Sequence, residues 1–485
     1  MRKILIFTLL CGFYLPGYSQ KKPDFVTELE KKAEEHLYNG EYRLAWNKYY
    51  KLFQHDSTDL DYNYKLCICA VEECINPEKT LEMIKMVKQK DPENVNANYY
   101  LARAYMMNYQ FTEAIETFLL FKQLDGDKEL EKRTDHWIES ANHGIELLNK
   151  PVNVVFENLG SGVNSRLDDY NPFVNYNEGF IVFTSNKKYD PDYGTYISNV
   201  YTSESKRKEW GQAVNQAKIN TYDNEETVFM APDGNTLLLC NSMDNEYSDI
   251  LIAERKGNMY RYNTKYDYMF KVLNTKTVEN GAAISEDCDS YFISGKRDGG
   301  FGGSDIYIIR KLPNGEWGQP ENLGDNINTE YDEAYPNISP GGNVLYFASK
   351  GHNSIGGYDL FMSYWNIPRQ EWTEPINLGY PINTTEDNTT ISFTGNKRYA
   401  YVAARRKEGL GGLDIYRITF QDVEKEYTLM KGSIYLGDSL NATPFSGDNS
   451  DLEITVYDEH GNIYGQYLPK NNTGQFVAIL PIGEF

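Results

Sequence analysis

Three segments of the chain repeat one pattern: GFGGSDIYIIR at 300–310, SIGGYDLFMSY at 354–364 and GLGGLDIYRIT at 409–419. Their aspartates, Asp305, Asp359 and Asp414, stand 54 and 55 residues apart. Fainter copies lie upstream, in SDILIAE with Asp249 and in GTYISNV around Thr195, 56 and then 54 residues further back. An even period of this length restricts the fold to stacked or circular repeats of one supersecondary unit.

The clearest unit, 333–379, reads as four short strands: EAYPNIS, NVLYFAS, YDLFMSYW and QEWTEPINLG. Turn chemistry separates them in SPGGN (339–343), in KGHNSIGG (350–357) and at Pro368. The second-strand pattern occurs five times, starting at Gly179, Asn235, Asp289, Asn343 and Arg398. The fourth-strand signal also occurs five times, near 156–160, 210–219, 270–274, 317–324 and 372–379. Four strands per unit predict a five-bladed β-propeller over 151–421. The first fourth-strand signal precedes any first strand, and the last unit stops near Phe420. Residues 153–159 are therefore predicted to complete the last blade and close the ring, which removes open sheet edges. The Gly pair allows close approach, the Asp is predicted to accept from turn amides, and Tyr346, Tyr358, Phe361 and Trp372 are predicted to pack blade on blade. The chain is 14% aromatic with 40 Tyr, and tyrosine suits strands, where the ring packs and the hydroxyl stays wet.

Residues 21–150 have another character, with long helical patterns and few Gly, Val or Ile. The stretch 96–125 carries Leu101, Ala102, Tyr105, Ala114 and Phe118 at tetratricopeptide spacing. Asp56, Asp91 and Asp125 close successive units 35 and 34 residues apart. An all-α solenoid of helical hairpins is expected, capped by a helix through Trp137, Ile138, Ile145 and Leu148. Its concave groove would bind a partner through Tyr99, Arg103 and Met106, or the stack would serve as a spacer.

MRKILIFTLLCGFYLPGYSQ reads as a signal peptide, with a basic start, an apolar run too short to span a bilayer and a polar exit. Cleavage after Gln20 would take the net charge from −22 to −24. Cys11 would be the site of a lipid anchor, but bulky Leu10 precedes it. No other run of apolar residues is long enough to span a membrane. The acidic balance argues against nucleic acid and polybasic membrane docking. Cys67 and Cys74 would lie about 10 Å apart along a helix, too far for a disulfide. All five remaining cysteines, including Cys69, Cys240 and Cys288, read as small buried side chains.

For chemistry, the propeller span offers one histidine, His352, and no Gly-x-Ser-x-Gly elbow, so triads and histidine metal centres have no material. Carboxylate pairs remain open by residue type. An Ile-Asn-Thr-like element followed by acids recurs between fourth and first strands. Its copies are 163–165 with Asp168 and Asp169, 219–221 with Asp223 and Glu225, 327–329 with Glu330 and Glu333, and 382–384 with Glu386 and Asp387. The third blade offers Glu279 alone. Equivalent positions gather at one end of a ring, so Asp169, Glu225, Glu333 and Asp387 would form an acidic face for a basic partner, or else the loops are solvated turn caps. No catalytic residue, metal ligand or cofactor is assigned. After Phe420, residues 428–485 read as about five strands of a β-sandwich that stops short.

The order of leader, tetratricopeptide helices, propeller and sandwich resembles the PorE-like, OmpA-family periplasmic proteins of the Bacteroidetes, associated with type IX secretion. The copies at 302–307, 356–361 and 411–416 match the PD40/WD40-like propeller of that class, as do APDGNTLLL (231–239) and SPGGNVLYF (339–347), where Gly341 replaces the usual Asp. The last segment resembles carboxypeptidase-regulatory-like domains. The resemblance implies a non-enzymatic periplasmic scaffold at the outer membrane, binding protein partners and tied to peptidoglycan through an OmpA-like domain. No OmpA-like segment occurs in 1–485, so no wall-binding residue is carried over. The alternative reading is a propeller that binds or hydrolyses glycans.

Overall fold

The structure is a computed structural model describing residues 22–190, 195–206, 209–244, 247–423, 427–438, 442–446, 452–457, 463–471 and 473–481. The leader expected at 1–20, with Cys11, lies outside the described residues. The chain divides into two compact units, Met1–Ile138 and Glu139–Phe485.

The helical region comprises α1 (Asp24–Tyr38), α2 (Tyr42–His55), α3 (Leu60–Glu72), α4 (Pro77–Lys90), α5 (Asn96–Met107), α6 (Phe111–Lys122) and α7 (Lys128–Leu148). Local chemistry sets the ends. Gly40 turns the chain between α1 and α2 at φ +73°. The Asp59 carboxylate accepts from the Asp61 and Tyr62 amides at 2.9 and 3.1 Å and starts α3. Pro77 opens α4, where its missing N–H costs nothing. Ala33, Ala45, Ala102 and Ala114 are fully buried, so paired helices approach closely over Tyr49, Leu52, Ile84 and Phe118. This is the tetratricopeptide-like solenoid expected from the spacing.

The second unit holds five antiparallel blades, three of four strands and two in which the outer strand is split into two short pieces. The inner three strands of each are Asp169–Val174, Phe180–Asp190 and Thr195–Lys206; Asn224–Met230, Thr236–Asp244 and Tyr247–Lys256; Glu279–Ile284, Ser290–Gly295 and Asp305–Arg310; Glu333–Ile338, Val344–Ser349 and Asp359–Asn366; and Ile391–Phe393, Tyr399–Ala404 and Asp414–Phe420. The outer strand of the fifth blade is Val154–Asn158, paired from Val154 opposite Phe420 to Asn158 opposite Tyr416. The ring is thus closed by the segment that precedes the first blade, as its order in the sequence predicted. Aromatic pairs join blades: Phe292 with Trp372 at 6.1 Å, Tyr346 with Phe393 at 4.8 Å and Trp210 with Tyr401 at 6.0 Å.

Three expectations are corrected. The outer strand of the second blade is Met259–Tyr262, and the segment expected as that strand near 270–274 is the helix Asp267–Leu273. The first-blade equivalent of Asp249 is Asn199, not Thr195, because Asn199 lies opposite Ser185 as Asp249 lies opposite Asn241. Cys67, Cys69 and Cys240 are buried free thiols, whereas Cys288 is exposed, in a hairpin turn at φ +58°.

Beyond the ring, six strands among the described residues form three antiparallel pairs: Tyr427–Ser433 with Gln475–Pro481, Tyr435–Leu436 with Thr443–Pro444, and Ile454–Tyr457 with Ile463–Tyr467. They share a small buried set of Val456 and Ala478, with Tyr467 against it. No described helix is long and apolar enough to cross a membrane.

Closure has a local signature. Phe156 packs edge-on against Tyr416 at 6.0 Å and lies under the Arg406 guanidinium at 4.1 Å. Phe156→Ala is expected to cost about 3 kcal/mol and to speed amide hydrogen exchange along Asp414–Phe420. Exchange in the second blade should stay unchanged; equal acceleration in both would contradict a local latch.

Candidate functional site

The Ile-Asn-Thr-like loops do the same work five times. Asn328 Oδ1 accepts from the Ile306 amide at 2.8 Å, and its Nδ2 donates to the Ile306 carbonyl at 2.9 Å. Asn164 clamps Ile415 in this way, Asn220 clamps Val200, Asn274 clamps Ile250 and Asn383 clamps Leu360. Each pair satisfies both backbone groups of one buried position on the third strand of the preceding blade. A second asparagine supports the clamp in four cases: Asn322 Oδ1 accepts from Asn328 Nδ2 at 2.8 Å, and Asn158, Asn215 and Asn377 repeat the contact.

Four residues after each Thr or Ser comes the group that holds the loop. Glu333 accepts from the Thr329 amide and hydroxyl, both at 2.7 Å, and from Ser349 Oγ at 2.7 Å. Glu225 does this for Thr221, Glu279 for Thr275, Asp169 for the Ser165 amide and Asn388 for Thr384. Asp169, Glu225 and Glu333 are 0% exposed, so they form no surface face. Their burial follows from the hydrogen bonds, since loop amides can be satisfied only by an acceptor turned inward. Glu279 is a full member of the set, and the fifth blade's member is Asn388 rather than Asp387. The third-blade copy escaped the sequence reading because its leader is Leu-Asn-Thr after a helix; the Thr-x-x-x-Glu spacing was the signal that would have found it.

The Gly-Gly-x-Asp segments form the complementary half. Asp305 accepts from the Phe301 and Gly302 amides, Asp359 from Ile355 and Asp414 from Leu410, as predicted. The glycines lie against the next blade. A Cβ on Gly302 would sit 2.3 Å from the Tyr331 carbonyl oxygen, and one on Gly356 2.5 Å from the Thr385 backbone. Over the second glycine lies a carboxylate of the next loop, which also accepts a backbone N–H. Asp332 takes that of Ser304 at 3.0 Å, Asp387 that of Tyr358 at 2.8 Å and Asp168 that of Leu413 at 2.8 Å. Asp387 is thus an exposed inter-blade tie. His352 is another tie, with Nε2 2.9 Å from the Ile327 carbonyl.

A different set faces the ring axis. The residue after the buried acid is Tyr170 in the first blade and Glu226 in the second, and Tyr335 follows in the fourth blade, two residues after Glu333. Tyr170 Oη donates to Glu226 Oε1 at 2.8 Å and contacts Ser198 Oγ at 2.7 Å. Tyr335 and Tyr358 meet edge to face at 6.1 Å and 84°. All four side chains are half-buried, and Tyr170, Glu226 and Tyr335 lie on the innermost strands, which border the central channel of a propeller. Burial raises the Glu226 carboxyl above the usual range, opposed by the Tyr170 hydrogen bond. Tyr335 reaches the axis from a β-bulge at φ +51°. Gly281 makes room for it, since a Cβ there would lie 2.8 Å from Tyr335 Cα. At the other end of the ring, Phe173, Phe229, Tyr346 and Phe393, with the polar Asn337, Ser392 and Lys397, line a cavity of about 110 Å³.

The helical residues expected in a groove are placed otherwise. Tyr99 is 0% and Met106 3% exposed. Tyr99 lies in the core against Phe118 and Phe121, and its hydroxyl accepts from Trp137 Nε1 at 3.0 Å. The Arg103 guanidinium stacks 3.6 Å from the Trp137 ring centre, with Glu72 at 3.8 Å. These contacts tie α3, α5 and α7 together; Tyr99 and Met106 face inward because the aromatic contacts of α6 claim that side of α5.

Two measurements test these roles. Asn328→Ala strands the Ile306 amide in the interior, while the carbonyl keeps the Leu323 amide at 3.1 Å, and is expected to cost about 1–3 kcal/mol in denaturant unfolding; a loss under about 0.5 kcal/mol would contradict the clamp. Burial also pushes the Glu333 carboxyl up to about 7 and that of Asp359 up to about 8. Both groups lose their protons near pH 4 in an unfolded chain. The folded state therefore binds more protons above about pH 4, and their contribution to stability falls as pH rises through the folded values. Glu333→Gln and Asp359→Asn should each flatten the decline of melting temperature between about pH 5 and pH 8; a decline as steep in both variants would contradict the assignment.

No family model matches the chain, and no curated protein sequence matches it. Among solved structures, the tetratricopeptide domain of P58(IPK) aligns over 26% of this chain and 35% of that one, at 22% identity and a TM-score of 0.23. The chain thus spans about a third of the length of that relative. TolB from Acinetobacter baumannii aligns over 60% of this chain and 71% of its own, at 13% identity and a TM-score of 0.35. The WD40 repeats of RRP9 align over 55% of this chain and 97% of theirs, at 8% identity and a TM-score of 0.31. The fold itself rests on the strand pairings and helix order described above.

Proposed function

We propose that the protein is a non-enzymatic periplasmic scaffold at the outer membrane, binding protein partners through its helical stack and its propeller. In this reading it ties an envelope complex, such as the type IX secretion system, to peptidoglycan through a domain outside these residues. The observation that carries it is the use of the repeated carboxylates. The acids that follow the loop Thr and Ser residues accept from loop amides, and those over the glycines join one blade to the next. Such residues build a rigid platform, which suits recognition. The helical hairpins add a second module of the kind that binds proteins.

A second reading, glycan binding or hydrolysis, is favoured by one observation: Glu226 is a channel carboxyl raised by burial and held by a tyrosine, as a general acid would be. Affinity capture with the full chain from a crosslinked cell envelope is expected to recover outer-membrane and secretion components. The purified protein is expected to show no turnover across a panel of glycans. Recovery of no envelope protein, or glycan hydrolysis abolished by Glu226→Gln, would overturn the scaffold reading.

A further inference from the structure

We propose that the channel end walled by Tyr170, Glu226, Tyr335 and Tyr358 receives the alkylammonium group of a lysine side chain from a partner protein. The inference deepens the scaffold reading by giving the chemistry of one contact, and only the source of the lysine rests on that reading.

Glu226 is the first ground. One carboxylate oxygen accepts from Tyr170 at 2.8 Å, and among the described residues no cation pairs with the group. Leaving a crowded carboxylate unpaired is costly, and a guest cation offsets that cost. The nearby basic groups are engaged elsewhere. Lys350 Nζ is 2.9 Å from Asp332, and Arg405 is 3.2 Å from Glu386.

The walls are the second ground. Tyrosine faces attract cations through the ring quadrupole. Tyr335 and Tyr358 stand nearly perpendicular and make a corner, while Tyr170 comes from the first blade. Lys350, held by Asp332, already covers one face of Tyr358 at 4.5 Å from its ring centre, so the guest cation meets the faces of Tyr335 and Tyr170. The hydroxyls of Tyr335 and Tyr358 make no hydrogen bond among the described residues and can accept from an ammonium.

The guest is a lysine because the site is narrow and has one free carboxylate. A metal ion needs several oxygen ligands, and no cluster of three or more His, Cys, Asp or Glu among the described residues is arranged to hold one. Lysine brings a compact charge on a thin apolar stem that can lie along tyrosine rings, whereas arginine brings a broad planar fork. The net charge of −22 favours a cationic guest.

The test is calorimetric titration of the full chain at low salt with Gly-Gly-Lys-Gly-Gly and with the same peptide carrying norleucine or acetyl-lysine. The lysine peptide is expected to bind with a dissociation constant below about 1 mM, and each neutral peptide at least about tenfold more weakly. Glu226→Gln, checked for folding by its melting temperature, is expected to reduce lysine-peptide binding at least about tenfold. Should that variant not fold, Tyr358→Leu takes its place with the same expectation. Equal binding of the three peptides, no binding at about 10 mM, or undiminished binding by the folded variant would overturn the proposal. A negative titration beside successful envelope capture sinks the lysine site alone. A positive titration beside empty capture sinks the scaffold reading alone.

Discussion

An asparagine side chain carries both a donor and an acceptor, and here it spends both on one residue of a neighbouring strand. Asn164, Asn220, Asn274, Asn328 and Asn383 each bond the amide and carbonyl of one buried residue on a third strand. At that point the fourth strand ends: its following amide still reaches the carbonyl in four blades, as Leu323 does that of Ile306 at 3.1 Å, and the amide is left to the asparagine. Without the clamp each blade would bury an unpaired amide at its junction with the next, while in four blades the carbonyl would keep its bond from the end of the fourth strand. The rest of the ring follows from it. The clamping loop must be held, so an acceptor stands four residues on; the next blade must come close, so glycine pairs lie where a Cβ would strike the loop.

This explains where sequence reading succeeded and where it stopped. The period, the blade number and the closing strand were legible because they are written in strand order and turn residues. The role of Asp305, Asp359 and Asp414 was legible because a short acidic side chain after two glycines has few other uses. The direction of the loop acids was not. Glu225 and Glu333 stand in polar, charge-rich stretches that read as solvent-facing, and only the three-dimensional path shows the loop folding over them. Tyr99 misled for the opposite reason. A tyrosine on a helix of a concave stack suits a groove, but its hydroxyl is satisfied internally by Trp137, which lies 38 residues away. The channel set was not legible, because Tyr170 and Glu226 follow the loop acid directly while Tyr335 stands two residues after it in a bulge, and a repeat search discards what differs between copies.

That contrast organises the functional reading. Residues that recur in every blade hold the ring. Residues near the axis that differ from blade to blade are where one propeller departs from another and where recognition is most economically built. The cavity at the opposite end is lined instead by a recurring phenylalanine, Phe173, Phe229 and Phe393, near the ends of inner strands.

Everything above depends on a ring latched by the segment that precedes its first blade. Val155 stands opposite Thr419 across that junction. Cysteines placed at both positions in the full chain should form a disulfide within one molecule, identified by peptide mapping, and raise the melting temperature, because the link closes a loop spanning the whole ring. Free thiols after mild oxidation, or bonds only between molecules, would show that the latch is not closed in this way.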